Sequence, residues 1–169
     1  LEFSIARPFN CVGIGEVKTK TEKKLTDSSA KLALSHVVPD LILKTLEGKP
    51  KIEILGSGNQ IRHYTYGGDL AKGICLLLEH ENAKNEDFNL STSQSTTVLE
   101  LAEIIWNKVR PEEKFQYQSV DSFEFDVQKR IPSTEKAKKL LGYEATTTIE
   151  DMLDVVIPWI INAKERSLF

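Results

Sequence analysis

The chain has 169 residues, 40% of them hydrophobic and 28% charged, which suits one soluble globular domain able to bury a core. A formal net charge of -3 and a sequence pI near 5.7 give no electrostatic case for nucleic acid or an anionic membrane surface. No apolar run approaches a membrane span and no secretory signal is present, so a cytoplasmic location is the expectation. Cys11 and Cys75 are too far apart for a zinc or redox motif. Both sit in apolar runs, which predicts small buried side chains without a disulfide.

The opening Leu1-Glu2-Phe3-Ser4-Ile5-Ala6 alternates like a strand from its first residue and lacks an initiator methionine. It reads as a sequence that starts inside a sheet, as a fragment would. Arg7-Pro8-Phe9-Asn10 leaves the strand into a turn carrying Gly13 and Gly15. Residues 16–34 are polar and lysine-rich, with Lys18, Lys20, Lys23 and Lys24, and read as a solvated loop or as a lid over an anionic ligand.

Pro39 fits the first turn of a helix whose apolar residues are Val38, Leu41, Ile42 and Leu46, with Gly48 and Pro50 as stops. Ile52–Leu55 is a short strand closed by Gly56-Ser57-Gly58-Asn59, and Ile61 to Tyr66 is extended. Asp69 is placed to cap a helix carrying Leu70, Ile74, Leu77 and Leu78 on one face. Phe88–Leu90 is a further strand candidate, and Thr97-Val98-Leu99-Glu100 is a capping box opening a helix through Ile104, Ile105 and Val109. After the strand candidate Phe115–Tyr117, one helix starts past Ser133 and ends at Gly142. Another starts past Thr148 and meets a kink at Pro158. Helices and strands interleave, so the class is α/β or α+β, without repeats.

Several chemistries are missing from the sequence. No Gly-x-Gly-x-x-Gly or Gly-x-x-Gly-x-x-Gly follows a strand, and Gly56-Ser57-Gly58 has Ile61 where a third glycine is needed to let backbone N–H groups approach a pyrophosphate. His36, His63 and His80 lack metal-ligand spacing. No Gly-x-Ser-x-Gly elbow and no P-loop is present, and no tyrosine is followed four residues later by lysine.

Three segments carry binding potential. Asn10, at the end of the first strand, can donate to and accept from a ligand, or satisfy its own turn. Arg62 lies between a glycine-rich turn and an apolar helix, where a guanidinium fork can grip phosphate oxygens or lie on the surface. Arg130, in Lys129-Arg130-Ile131-Pro132-Ser133, offers a second phosphate contact or a solvated basic pair.

In this order the segments resemble the extended short-chain dehydrogenase/reductase family, the NAD-dependent nucleotide-sugar epimerases and dehydratases. The matching positions are Arg7, Asn10 and Gly13, then Val38 and Pro39, then Gly56, Gly58, Arg62, Asp69, Leu70 and Ala71, then Arg130, Pro132, Leu141 and Gly142. Ser133 stands where the family has aspartate, a comparable helix cap, and the lysine-rich loop departs from the pattern. The resemblance implies that Asn10, Arg62 and Arg130 hold the diphosphate of a nucleoside-diphosphate sugar. It places Val37, Val38, Glu53 and Leu55 on the nucleoside side, with Tyr64 bordering the same cleft.

It further implies an α/β fold in which residues 1–169 form the C-terminal substrate-binding lobe of a Rossmann-type enzyme. Phe3–Ala6 and Phe88–Leu90 would join a cofactor sheet, and their apolar surface would be exposed in the isolated lobe. NAD and the family's Tyr-x-x-x-Lys would belong to sequence upstream, and the intact enzyme would be a homodimer. The rival readings are a non-catalytic nucleotide-sugar binding or scaffold protein, and a reductase of a non-nucleotide substrate.

Overall fold

A computed structural model describes residues 1–15, 36–122 and 126–166. The lysine-rich segment at 16–34, and with it the lid reading, falls outside the described residues. The chain divides into two compact units. The first holds residues 1–13, 60–97 and 127–152, and the second holds residues 14–59, 98–126 and 153–169.

In the first unit, β1 (Ser4–Pro8) pairs in parallel with β6 (Glu86–Leu90), with Ile5 opposite Asp87 and Arg7 opposite Asn89. A parallel pair needs a long crossover, and here the crossover includes α2 (Gly67–Glu79). Strand β2 (Cys11–Val12) pairs in parallel with β5 (Thr65–Tyr66), and β4 (Ile61–Arg62) pairs antiparallel with β7 (Thr96–Thr97). The expected extended run from Ile61 to Tyr66 is thus two short strands with different partners. Helix α4 (Glu135–Leu141) ends at Gly142, whose φ of 65° is the left-handed stop that glycine adopts without a Cβ penalty. The N-cap position of this helix is Thr134, which makes no side-chain cap bond, and not the expected Ser133, whose carbonyl accepts Asn89 Nδ2 at 3.0 Å.

The core of this unit joins Leu77, Ala83, Phe88, Leu90, Ala137, Leu141 and Tyr143. That corrects one expectation. Phe88 and Leu90 are buried against α4 and its neighbours and add nothing to an exposed face, whereas Phe3 and Ile5 on β1 are exposed. Helix α2 also presents a different face from the one expected. Its buried positions are Asp69, Gly73 and Leu77, at four-residue spacing, while Ile74 and Leu78 point outward. Cys75 shares that outer face, and Cys11 is likewise exposed. Neither cysteine is the buried residue its apolar neighbours suggested.

In the second unit, α1 (Val37–Leu46) buries Val38, Pro39, Leu41, Ile42 and Thr45 and stops before Gly48 at φ 75°. Strand β3 (Ile52–Leu55) alternates buried Ile52 and Ile54 with outward Glu53, and pairs in parallel with β8 (Tyr117–Val120). Helix α3 (Val98–Val109) starts directly after Thr97, as the capping box predicts, and buries Leu101, Ala102, Ile105 and Trp106. Helix α5 (Ile149–Glu165) begins among the residues of the first unit, after Thr148, whose Oγ1 accepts the Asp151 N–H at 3.1 Å, and continues from Leu153 through Pro158 to Glu165 among those of the second. Leu153, Val156, Ile157 and Ile160 form its buried stripe in this unit. No helix among the described residues is long and apolar enough to cross a membrane.

Candidate functional site

The segment 61–65 of the first unit gathers residues from three parts of the sequence. Ile61 donates its N–H to the Gln128 carbonyl at 2.8 Å and accepts the Arg130 N–H at 3.2 Å, which lays residues 128–130 beside β4. Asn10 Nδ2 donates to the His63 carbonyl at 3.1 Å, and the Asn10 carbonyl accepts the Thr65 N–H at 3.1 Å. Asn10, Arg62 and Arg130 therefore converge on one short stretch of backbone.

The local reasons are visible in the sequence. Asn10 sits at φ 38°, a left-handed conformation that asparagine tolerates better than most residues, and this turn sends the chain from β1 into β2. Because the His63 carbonyl can only accept, the Asn10 amide nitrogen faces it. That amide has a second N–H and an acceptor oxygen for other partners. Arg62 is half-buried, and its Nη1 donates to the Ile61 carbonyl at 2.9 Å, so the guanidinium folds back over the strand that also anchors Arg130. Arg130 itself is exposed.

Tyr64 is buried at 5% exposure, and its hydroxyl has no hydrogen-bond partner among the described residues. Burial pushes its phenol well above the ordinary range, and the Arg62 charge pulls weakly the other way. The neighbouring His63 is more deeply buried, with Nδ1 2.9 Å from the Thr92 carbonyl. The sequence pattern gave no reason to single out His63 or Thr92. Their contact is purely tertiary.

The four residues expected on the nucleoside side all lie in the second unit. Val38 is 1% exposed and belongs to the core, so its side chain is committed to packing. Val37 and Leu55 are half-buried, at the start of α1 and the end of β3. Glu53 is exposed and accepts Gln118 Nε2 at 3.2 Å from the paired strand.

Asp69 is not the helix cap, a position held by Tyr66. It lies inside the first turn of α2, 1% exposed, and accepts the Thr147 N–H at 2.8 Å and Lys72 Nζ at 3.3 Å. Burial pushes its pKa up, but the Thr147 hydrogen bonds and Lys72 outweigh that and hold it below the usual carboxylate range. Its role is to fasten α2 to the 147 segment.

At the start of α2, a Cβ at Gly68 would meet the Tyr66 ring at 2.7 Å, whereas one at Gly67 would make an ordinary contact with the Val12 carbonyl at 3.6 Å. At Gly58 the neighbours are Leu99 at 3.1 Å and Ile54 at 3.2 Å. No cluster of metal-ligating side chains occurs among the described residues.

The sequence matches the family model described as GDP-mannose 4,6 dehydratase over residues 26–156. The chain belongs to the extended short-chain dehydrogenase/reductase family of NAD-dependent epimerases and dehydratases. Among relatives, it is 31% identical to UDP-glucuronic acid decarboxylase 4 of Arabidopsis thaliana, over 72% of this chain and 26% of that one. It is 30% identical to UDP-glucuronic acid decarboxylase 1 of Danio rerio, over 78% of this chain and 30% of that one. The fold is also that of the family. A UDP-glucose 4-epimerase from Thermotoga maritima, solved with UDP-glucose, superposes with a TM-score of 0.77 at 24% identity, covering 100% of this chain and 48% of that one. A UDP-glucuronic acid 4-epimerase from Bacillus cereus, solved with UDP-glucuronic acid and NAD, gives 0.75 at 22% identity, covering 98% and 46%. The chain thus spans less than a third of these curated relatives and about half of these solved family members.

Proposed function

We propose that this chain supplies the nucleotide-sugar-binding part of an NAD-dependent sugar-nucleotide enzyme, and that its ligand is a UDP-linked sugar. The observation that carries the proposal is the convergence of Asn10, Arg62 and Arg130 on the backbone of residues 61–65. Arg130 joins this strand through its main-chain N–H, and two guanidinium groups with a carboxamide supply the donors and positive charge that a diphosphate needs, which supports the reading. The decarboxylase relatives and the UDP-sugar complexes among the fold neighbours support uridine as the base.

The part these residues play is binding and orientation. Gripping the diphosphate, remote from the reacting carbon, fixes the sugar's position and supplies binding energy that orientation requires. The sequence holds no Tyr-x-x-x-Lys, so no hydride or proton step is assigned to these residues.

Calorimetric titration of the complete protein with UDP and with UDP-glucuronic acid tests the proposal. Arg62→Ala is expected to weaken both by roughly 10- to 100-fold, the worth of hydrogen bonds to a charged group. An unchanged affinity overturns it.

A further inference from the structure

We infer that His63 is a positioning residue for the diphosphate locus, acting through one ring N–H and not through the volume it fills. The inference rests on the reading of Asn10, Arg62 and Arg130 as the diphosphate-binding residues.

His63 stands between Arg62 and the buried Tyr64 and Thr65, and it is 3% exposed. Its Nδ1 lies 2.9 Å from the Thr92 carbonyl. A carbonyl oxygen has no proton to offer, so the hydrogen is on Nδ1, and the neutral ring is the Nδ1–H tautomer. Nε2 is buried and has no partner among the described residues. The ring is therefore held by a single directional bond.

That bond belongs to a two-sided clamp. On one side, Thr92 takes the His63 ring through its carbonyl and gives its N–H to Thr65 Oγ1 at 3.1 Å, while Ser91 Oγ donates to the same Thr92 carbonyl at 3.0 Å. On the other, Asn10 takes the Thr65 N–H and donates to the His63 carbonyl, at 3.1 Å each. The residue that receives the Asn10 amide is thus the residue that Thr92 pins through its ring. Because one N–H of Asn10 is spent on that carbonyl, the position of His63 sets where the second N–H points. Arg62 is the next residue along the same backbone, so a rotation of His63 moves both candidate anion contacts together.

A merely core-filling histidine would tolerate an apolar side chain of similar volume. A positioning histidine needs a donor at the place of Nδ1. His63→Asn keeps an amide N–H near that place, His63→Gln moves it toward Nε2, and His63→Leu removes it. Titration of the complete protein with UDP is expected to leave His63→Asn within about 3-fold of the unsubstituted protein. His63→Leu and His63→Gln are expected to lose roughly 10-fold, since a misplaced anchor forfeits about one charge-assisted hydrogen bond.

Wild-type affinity in His63→Leu overturns the inference. Should His63→Leu fail to fold, the Asn and Gln variants decide the matter, and equal affinities for them overturn it. Nitrogen NMR of the labelled ring gives a readout independent of binding, and a dominant Nε2–H tautomer overturns it as well. Arg62→Ala is the control. Lost affinity there with none lost in His63→Leu sinks only the positioning role, whereas no loss in Arg62→Ala sinks the diphosphate reading beneath it.

Discussion

Asn10 and His63 are joined by a side-chain amide that donates to a backbone carbonyl at 3.1 Å, across the boundary between the β1–β2 turn and the strand that carries Arg62. Asn10 also holds a φ of 38°, so one residue supplies both an unusual backbone conformation and a tertiary bond. Two substitutions separate these contributions. Asn10→Gly keeps the left-handed turn and loses the bond, while Asn10→Ala loses both. Alanine should be more destabilising than glycine by about 1 kcal/mol, the cost of a Cβ in that region. Both should weaken UDP binding to a similar degree. Urea unfolding midpoints beside titration affinities would check this, and equal stability of the two variants would count against the turn argument.

Arg62 and Arg130 share an anchor in Ile61 but differ in exposure, the first half-buried and the second open to solvent. Screening weakens an exposed contact more than a half-buried one. Arg130→Ala should therefore cost roughly 3- to 10-fold in UDP affinity at low salt and much less at about 0.5 M, while the Arg62→Ala deficit persists. Titrations at two ionic strengths measure the difference. Identical salt dependence for the two variants would contradict the assigned exposures.

Asp69 gives a stability prediction with a defined sign. Its carboxyl is held below its ordinary 3.8 in the folded chain, against burial, by the Thr147 hydrogen bonds and Lys72. The folded state thus favours the ionised form. The resulting stability is present above the unfolded value and is lost as pH falls through the folded one. Asp69→Asn should destabilise the protein by about 2 kcal/mol at neutral pH, with a flatter decline in stability below about pH 4. Denaturant melts across that range test it, and an acid limb of unchanged steepness would show that Asp69 is not the group responsible.

Gly73 and Tyr143 form a packing pair on the inner face of α2. A Cβ at Gly73 would come within 2.8 Å of Tyr143 Cε2 and within 3.0 and 3.1 Å of the Leu90 methyls. Gly73→Ala should cost about 1–3 kcal/mol through overpacking, part of it recovered when Tyr143→Leu is combined with it. An additive double variant would mean that the ring is not the obstacle.

The Tyr143 hydroxyl is buried and has no hydrogen-bond partner among the described residues. Burial first, then the negative charge of Asp69 and Cys11, push its pKa up to about 12 from an ordinary 10.0. The fold therefore prefers the neutral phenol, and this contribution is intact below pH 10 and lost as pH rises toward 12. Tyr143→Phe should be neutral or slightly stabilising near pH 7, because the polar atom it removes is unsatisfied, and it should blunt the alkaline loss. A marked drop in the thermal midpoint at neutral pH would reveal a hydroxyl partner and refute the prediction.

Most elements were legible because their signals are local. The strand Ile52–Leu55 follows its alternation residue for residue, α1 places Pro39 in its first turn, and Gly142 ends α4 with a positive φ. Where the reading failed, the deciding partner was distant in sequence. Asp69 has the residue type and position of a cap, yet its oxygens go to Thr147 and Lys72, and the helix starts at Gly67, three residues before the Leu70 that an Asp69 cap implies. Cys75 lies among apolar residues, but α2 turns its Asp69–Gly73–Leu77 face inward and leaves Cys75 outside. Periodicity says that a helix has a buried stripe. When apolar residues surround more than half the helix, it does not say which stripe meets the core.

The amino-acid order alone determined the interleaved strands and helices and the want of a glycine fingerprint and of Tyr-x-x-x-Lys, and it offered Asn10, Arg62 and Arg130 as candidates, because each is written in residue types and short spacings. Only the tertiary structure decided that these three meet around residues 61–65 and that His63 is tied to Thr92 beneath them. Parallel pairings such as β1 with β6 and β2 with β5 are closed by long crossovers. A strand's sequence carries its side-chain alternation but not the identity of its partner, so neighbours brought together this way leave no local trace.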